Sequence, residues 1–223
     1  MKFVIPWKPN GDKWRDKAQA WQEAEFERLG IPVVYTSDPG RGLFSVARAM
    51  NSYLKENEGD FIILGADQIP SLEIYEESIE RLKVQPYFHP FDETWDLTEK
   101  ATDLVIAGKA GLDNMSPLTY TAKTMWATGV SAMRYDVWRE CPWDERFVGW
   151  GGEDTAQRVA MNTMFDKQPI GTHKLIGLYH VKAAKDNVWR RNKGIFLDFY
   201  GAYDGNKIKM AETLAAVKKR QGI

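Results

Sequence analysis

"ARAMNSYLKENEGDFIILGADQIPS" runs from Ala47 to Ser71 and changes character twice. Its opening carries apolar residues at helical spacing, so a helix is expected over Leu43 to Lys55, entered from the turn "DPGRG" (Asp38–Gly42). Phe61 to Leu64 is an unbroken apolar run, which predicts a strand. At Gly65 the run breaks into a loop. A further helix is expected over Ser71 to Leu82, with Leu72, Tyr75, Ile79 and Leu82 on one stripe.

Upstream, "KFVIPW" (Lys2–Trp7) predicts a first buried strand. Trp14 to Leu29 predicts a helix with Trp14, Ala18, Trp21 and Leu29 facing one way, closed by Gly30 as a C-terminal cap. "IPVVYTSD" is a second strand ending on Thr36, Ser37 and Asp38. Strand, helix, strand, helix, strand in the first 70 residues predicts an α/β fold, with a parallel sheet and right-handed crossovers. In such sheets ligands gather at the carboxyl ends of the strands. Here those ends are Pro6–Trp7, Thr36–Asp38 and Gly65–Gln68, which makes Pro6, Asp38, Gly65 and Ala66 candidates for ligand contact.

Further along, "VQPYFHPFDETWDLTEKATD" (Val84–Asp103) is expected to be a loop and "LVIAGKA" (Leu104–Ala110) a strand. "WATGVSAMRYDVW" (Trp126–Trp138) predicts a strand–helix pair, and "KLIGLYHVK" (Lys174–Lys182) a late strand ending at His180. No repeat and no linker interrupts the 223 residues, so one domain is expected over 1–223.

Composition narrows the classes. The chain is 43% hydrophobic and 27% charged, with 9 Trp and no low-complexity tract, which is a globular balance. A single cysteine, Cys141, excludes an internal disulfide framework and any cysteine-based metal cluster, and points to a reducing compartment. No apolar run is long enough to span a bilayer, and the N-terminal run is too brief for a signal-peptide core, so a soluble, cytoplasmic protein is expected. The net charge is −1, unevenly spread. From His180 onward, ten Lys/Arg against four acids give +6, leaving −7 on the other 179 residues. That asymmetry suits either a polyanion near the C-terminal segment or a solvated helical tail.

Three constellations carry chemistry. Asp67 follows the third strand, where a carboxylate can bind a hard divalent cation or simply close a turn before Pro70. Arg48 and Asn51, three residues apart, share a helical face and suit a phosphate, a ribose or a base edge; an exposed helix face would show the same pattern. "FVGWGGEDTAQRV" (Phe147–Val159) places Trp150 among Gly149, Gly151 and Gly152 and leads into Glu153 and Asp154, just where a helical pattern begins. Asp154 can cap that helix. Capping leaves Trp150 and the glycines unexplained. Small residues admit a substrate close to the backbone, an indole offers a flat stacking face, and a carboxylate beside them can act as a base.

"FVGWGGED" (Phe147–Asp154) resembles the C-terminal signature of GT-A-fold glycosyltransferases, as in the β-1,4-galactosyltransferases and the family 2 polysaccharide synthases. "PWDERF" (Pro142–Phe147) resembles the approach to that signature, and Ala47 to Ser71 resembles the segment leading into the family's Asp-x-Asp metal motif. The resemblance implies a GT-A, Rossmann-like domain and a nucleotide-sugar donor, with uridine the expected nucleotide. Asp154 matches the catalytic base. Trp150, Gly151, Gly152 and Glu153 match the acceptor site. Pro6, Asp38, Arg48, Asn51, Gly65 and Ala66 lie at the donor positions. Asp67 and His180 match ligands of a Mn²⁺ or Mg²⁺ ion. Gly65 stands where the family usually has its first Asp, a departure that also suits a non-catalytic sugar-nucleotide or glycan binder. A nucleotidyltransferase is a third reading of the same sheet. The basic stretch "HVKAAKDNVWRRNKG" (His180–Gly194) suits a lid over the donor or a grip on an anionic acceptor, nucleic acid included; otherwise the acceptor is a glycan or another hydroxyl-bearing molecule.

Overall fold

The computed structural model describes residues 1–9, 13–111, 120–123, 130–181 and 186–223. Strands β1 (Lys2–Pro6), β2 (Val33–Thr36) and β3 (Phe61–Leu64) alternate with helices α1 (Lys13–Leu29) and α2 (Val46–Glu56). Next come α3 (Leu72–Leu82), β4 (Tyr87–Asp96), α4 (Glu99–Ile106), β5 (Tyr120–Lys123) and β6 (Val130–Met133). The chain closes with α5 (Tyr135–Glu140), α6 (Glu153–Phe165), β7 (Ile170–Gly177), α7 (Asn187–Phe199) and α8 (Lys207–Gln221).

The sheet runs β2-β1-β3-β6-β4-β5, and β7 also pairs with β4. The β1–β2, β1–β3 and β4–β7 ladders are parallel, while β6 runs antiparallel to both β3 and β4. β5 also runs antiparallel to β4, so β1, β2, β3, β4 and β7 point one way and β5 and β6 the other, which brings the ends of β1, β2 and β3 to one edge, as the first 70 residues predict.

Both faces are covered, which is why β3 is apolar throughout and wholly buried. One core layer gathers Met50, Leu54, Tyr87, Trp138, Phe147 and Leu214 beneath α2, α5, α6 and α8. The other gathers Phe3, Phe26, Ile62, Ile74 and Phe88 beneath α1 and α3.

Several expectations are corrected. Val84–Asp103 is not a loop: it holds the ten-residue strand β4 and the start of α4. Pro90 hides the strand in the sequence, and the ladder to β7 slips in register on either side of Phe91, the kind of bulge at which a strand tolerates proline. Leu104–Ala110 is not a strand. Leu104, Val105 and Ile106 end α4, which Thr98 caps by accepting the Ala101 N–H at 3.2 Å. The buried stripe of α3 is Ile74, Ser78 and Leu82, and that of α1 is Trp14, Ala18, Gln22 and Phe26. The last strand stops at Gly177, so His180 lies on the loop beyond it. Of the expected strand–helix pair over Trp126–Trp138, residues 126–129 lie outside the described residues, and β6 and α5 supply the remainder.

Candidate active site

Asp67 sits in a turn fixed from three sides. Gln22, buried on α1, donates to the carbonyls of Gly65 (2.9 Å) and Gln68 (2.6 Å). The Gln68 side chain accepts the Gly65 N–H at 2.7 Å. The Asp67 carbonyl accepts the Leu178 N–H at 2.6 Å, which ties the turn to the end of β7. Two residues on, His180 places Nε2 2.9 Å from Asp67 Oδ2. Tyr179, edge-on against Trp14 at 5.6 Å between ring centroids, holds that loop against α1.

The two expected metal ligands are therefore neighbours. Burial pushes the Asp67 carboxyl up, but the His180 hydrogen bond and the charges of His180 and Arg15 bring it below the usual carboxylate range. The hydrogen bond to Asp67 raises His180, against desolvation.

Gly65 has a spatial reason. A Cβ there would stand 3.0 Å from Asp67 Oδ1 and 3.1 Å from Gln68 Oε1. A side chain at 65 would press by a few tenths of an ångström on the Asp67 carboxylate and on the Gln68 carboxamide that holds the Gly65 N–H.

The loop Phe147–Gly152 is built by its neighbours. "PWDERF" anchors it: the buried Asp144 carboxylate accepts from Arg146 Nη2 (2.6 Å) and from the Tyr200 hydroxyl (3.0 Å). Ser45 caps α2 and donates to the Phe147 carbonyl at 2.7 Å, and the Gly149 N–H donates to the Phe44 carbonyl at 2.7 Å. Asn192 of α7 donates to the carbonyls of Val148 (2.9 Å) and Trp150 (3.3 Å). Gly149, Gly151 and Gly152 all take positive φ, which favours glycine. Their open faces meet protein: added Cβ atoms would lie 2.9 Å from Val188, 2.7 Å from Trp189 and 3.0 Å from Phe147. The close approach inferred for a substrate is made here by α7 and Phe147. Trp150, 47% exposed, turns outward.

α6 begins at Glu153 with Gly152 as its N-cap, so Asp154 is not the cap. Asp154 stands in the first turn, where its Oδ1 accepts the Thr155 N–H at 2.7 Å and its charge acts on Arg158. Glu153 differs. Its Oε2 is buried with no hydrogen-bond partner, and burial followed by the Asp154 charge pushes its carboxyl up to about 8.

A cavity of about 460 Å³ is lined by Pro6, Gly65, Ala66, Asp67, Trp150, Glu153 and His180, among others. An adjoining cavity of about 130 Å³ is lined by Glu153, Asp154, Ser131 and Gln157 and shares Pro6, Val46, Gly65 and Glu153 with the first. Asp67 and the Glu153–Asp154 pair thus face adjoining spaces, with Glu153 on both.

Three expected donor residues lie elsewhere. Asp38 and Arg48 face each other through 2.7 Å bonds from Arg48 Nε and Nη2, and the Asp38 side chain is only 1% exposed. Burial raises the Asp38 carboxyl, but Arg48 and the N–H groups of Gly40 and Ser45 bring it below the ordinary value. This clamp shapes the loop whose Leu43, Phe44 and Val46 line the larger cavity. Asn51 is fully buried, donating to the Trp143 carbonyl (2.8 Å) and Glu145 (3.1 Å) and accepting from Trp138 Nε1 (3.0 Å). Helical spacing alone could not separate that core role from a site role. Arg15, Gln22 and Asn192 were missed because a polar residue in an amphipathic helix reads as solvated. Residues 182–185 of the basic stretch lie outside the described residues, while Asp186 and Val188, flanking the start of α7, line the larger cavity.

Among the described residues no three His, Cys, Asp or Glu side chains form a metal-binding group. Asp67 and His180 together supply one carboxylate and one imidazole. The carboxylate fits Mg²⁺ or Mn²⁺, which take few protein ligands and complete their shells with phosphate oxygens and water, while the imidazole suits Mn²⁺ better than the harder Mg²⁺.

No protein-family model matches the chain, and no curated protein matches it in sequence. Among solved structures it superposes on glucosyl-3-phosphoglycerate synthase from Mycobacterium tuberculosis in complex with phosphoglyceric acid, at TM-score 0.51 and 14% identity over 90% of this chain and 79% of that one. The same synthase with Mn²⁺ and UDP-glucose gives 0.49 at 13% identity, over 87% and 76%. A mutant Drosophila β-1,4-galactosyltransferase 7 with manganese, UDP-Gal and xylobiose gives 0.40 at 13% identity, over 86% and 72%. The chain has the α/β fold of the GT-A class. Among the described residues no helix is long and apolar enough to cross a membrane.

Proposed function

We propose that the chain is an inverting, metal-dependent glycosyltransferase that moves a sugar from a nucleotide-diphosphate donor to an acceptor hydroxyl. The observation that carries this reading is that Asp67 and the Glu153–Asp154 pair face two adjoining cavities with four walls in common. Asp67 and His180 are the residues that would hold Mn²⁺ or Mg²⁺, which when bound supplies positive charge to the departing diphosphate.

Asp154 takes the proton of the acceptor hydroxyl. The acceptor oxygen bonds to the anomeric carbon as the bond from that carbon to the diphosphate breaks, and the electron pair leaves on the diphosphate. A single base suffices because that leaving group needs no general acid, unlike the paired carboxyls of glycosidases. Trp150 offers the outward stacking face. Glu153, whose carboxyl is pushed up to about 8, can in its protonated form donate a hydrogen bond to a sugar hydroxyl. UDP-sugars are the donors to try first.

The test incubates the protein with labelled sugar nucleotides and Mn²⁺. Sugar release or transfer that Asp67→Ala abolishes supports the proposal. Binding without turnover under any condition would mark a non-catalytic binder, and pyrophosphate release from a nucleoside triphosphate a nucleotidyltransferase.

A further inference from the structure

The first turn of α1 brings Arg15 to the larger cavity, beside Asp67 and His180. Its Nε is buried and has no hydrogen-bond partner. Its charge reaches both site residues, lowering the carboxyl of Asp67 and opposing protonation of His180. The acids on the same walls are already engaged. Asp67 pairs with His180 at 2.9 Å, and Asp186 caps α7 by accepting the Trp189 N–H at 3.0 Å. Burial and the Asp154 charge push the Glu153 carboxyl up. Among the described residues Arg15 makes no ion pair; its positive charge acts on Asp67 and faces the cavity.

We propose that Arg15 binds the diphosphate of the donor, sharing with a divalent cation the neutralisation of its charge. A guanidinium presents several N–H donors in a plane and suits phosphate oxygens bidentately. The identity of the ligand rests on the glycosyltransferase reading. The anion site rests on the cavity. One consequence follows: part of the diphosphate affinity survives removal of divalent cations.

The test titrates the full chain with UDP, uridine and inorganic pyrophosphate, each with EDTA and with Mn²⁺, by calorimetry. With EDTA, UDP binds and uridine binds more weakly. Arg15→Ala and Arg15→Gln weaken UDP and pyrophosphate by about tenfold or more, as for a lost charge-assisted hydrogen bond, and leave uridine unchanged. Arg15→Lys recovers part of the loss. Circular dichroism and melting show that the variants remain folded. UDP and pyrophosphate affinities within about twofold of the parent in both neutral variants would overturn the proposal, as would no UDP binding in EDTA. The two readings fail separately. Arg15-dependent pyrophosphate binding in a protein that cleaves no sugar nucleotide keeps this inference and sinks the transferase. Sugar transfer by variants with parental UDP affinity does the reverse.

Discussion

Trp189 lies against Gly151 so closely that a Cβ at position 151 would stand 2.7 Å from the indole Cδ1. Gly151 also holds φ +99°, so the contact and the backbone each call for glycine. α7 is therefore a wall of the site, and its seat is the loop that carries Trp150 to Asp154. Gly151→Ala is expected to destabilise the fold by about 1–3 kcal/mol, the cost of a non-glycine residue in this region plus displacement of the indole. Urea denaturation measures it. An unchanged midpoint would show that α7 is not seated there.

Glu153 predicts an unusual pH dependence. Its folded pKa of about 8 lies above the ordinary glutamate value of about 4.3. A raised folded pKa gives stability that is fully present below the ordinary value and lost as pH rises toward 8. Glu153→Gln removes that loss. Its melting temperature, compared with the parent's, should improve between pH 5 and pH 9. A difference independent of pH would mean that Glu153 is ionised in the folded protein.

The Asp67–His180 pair titrates in the opposite sense to a metal complex. His180 is raised, so the pair is fully formed below the ordinary histidine value of about 6.5 and is lost as pH rises through the raised one. A cation needs the bare imidazole. Mn²⁺ affinity, followed by electron paramagnetic resonance of the free ion, should therefore rise by about tenfold or more from pH 6 to pH 9. His180→Ala should flatten that rise. An equal rise in the variant would remove His180 from the metal site.

Asn51→Ala should act on stability alone. It leaves Trp138 Nε1 without its acceptor inside the core and removes one of the two donors to the Trp143 carbonyl, which keeps Gln221 Nε2 at 2.9 Å. The expected cost is about 2–4 kcal/mol by denaturation, with UDP affinity unchanged in the folded protein. Weaker UDP binding at parental stability would return Asn51 to the donor site.

The first three strands were legible because apolar runs, glycine punctuation and helical stripes agree there. β4 was not, because Pro90 and the acids of "FDETWD" break the alternation that a strand normally shows, and the bulges that accommodate them are a tertiary event. The end of α4 reads as a strand because Leu104 to Ile106 is too short to show a helical period on its own. Asp67 stands out at a strand end and His180 only through the family resemblance, and the structure adds their contact. Glu153 and Asp154 were found together, but only burial distinguishes the neutral acid from the one held by the helix terminus. Asp38 and Arg48 read as ligand contacts because each is polar at a strand end or helix start. Their mutual clamp depends on a loop that closes in three dimensions.

Under the proposed function, Asp67 and Asp154 serve one reaction in different roles. Parallel calorimetry and turnover of a labelled UDP-sugar with Mn²⁺ in the parent, Asp67→Ala and Asp154→Asn test it most directly. Asp154→Asn should keep UDP affinity while transfer falls by about a hundredfold or more, the scale of a lost base. Asp67→Ala should lose Mn²⁺-dependent UDP affinity. Parental turnover by Asp154→Asn, or Mn²⁺-dependent UDP binding undiminished in Asp67→Ala, would contradict the account.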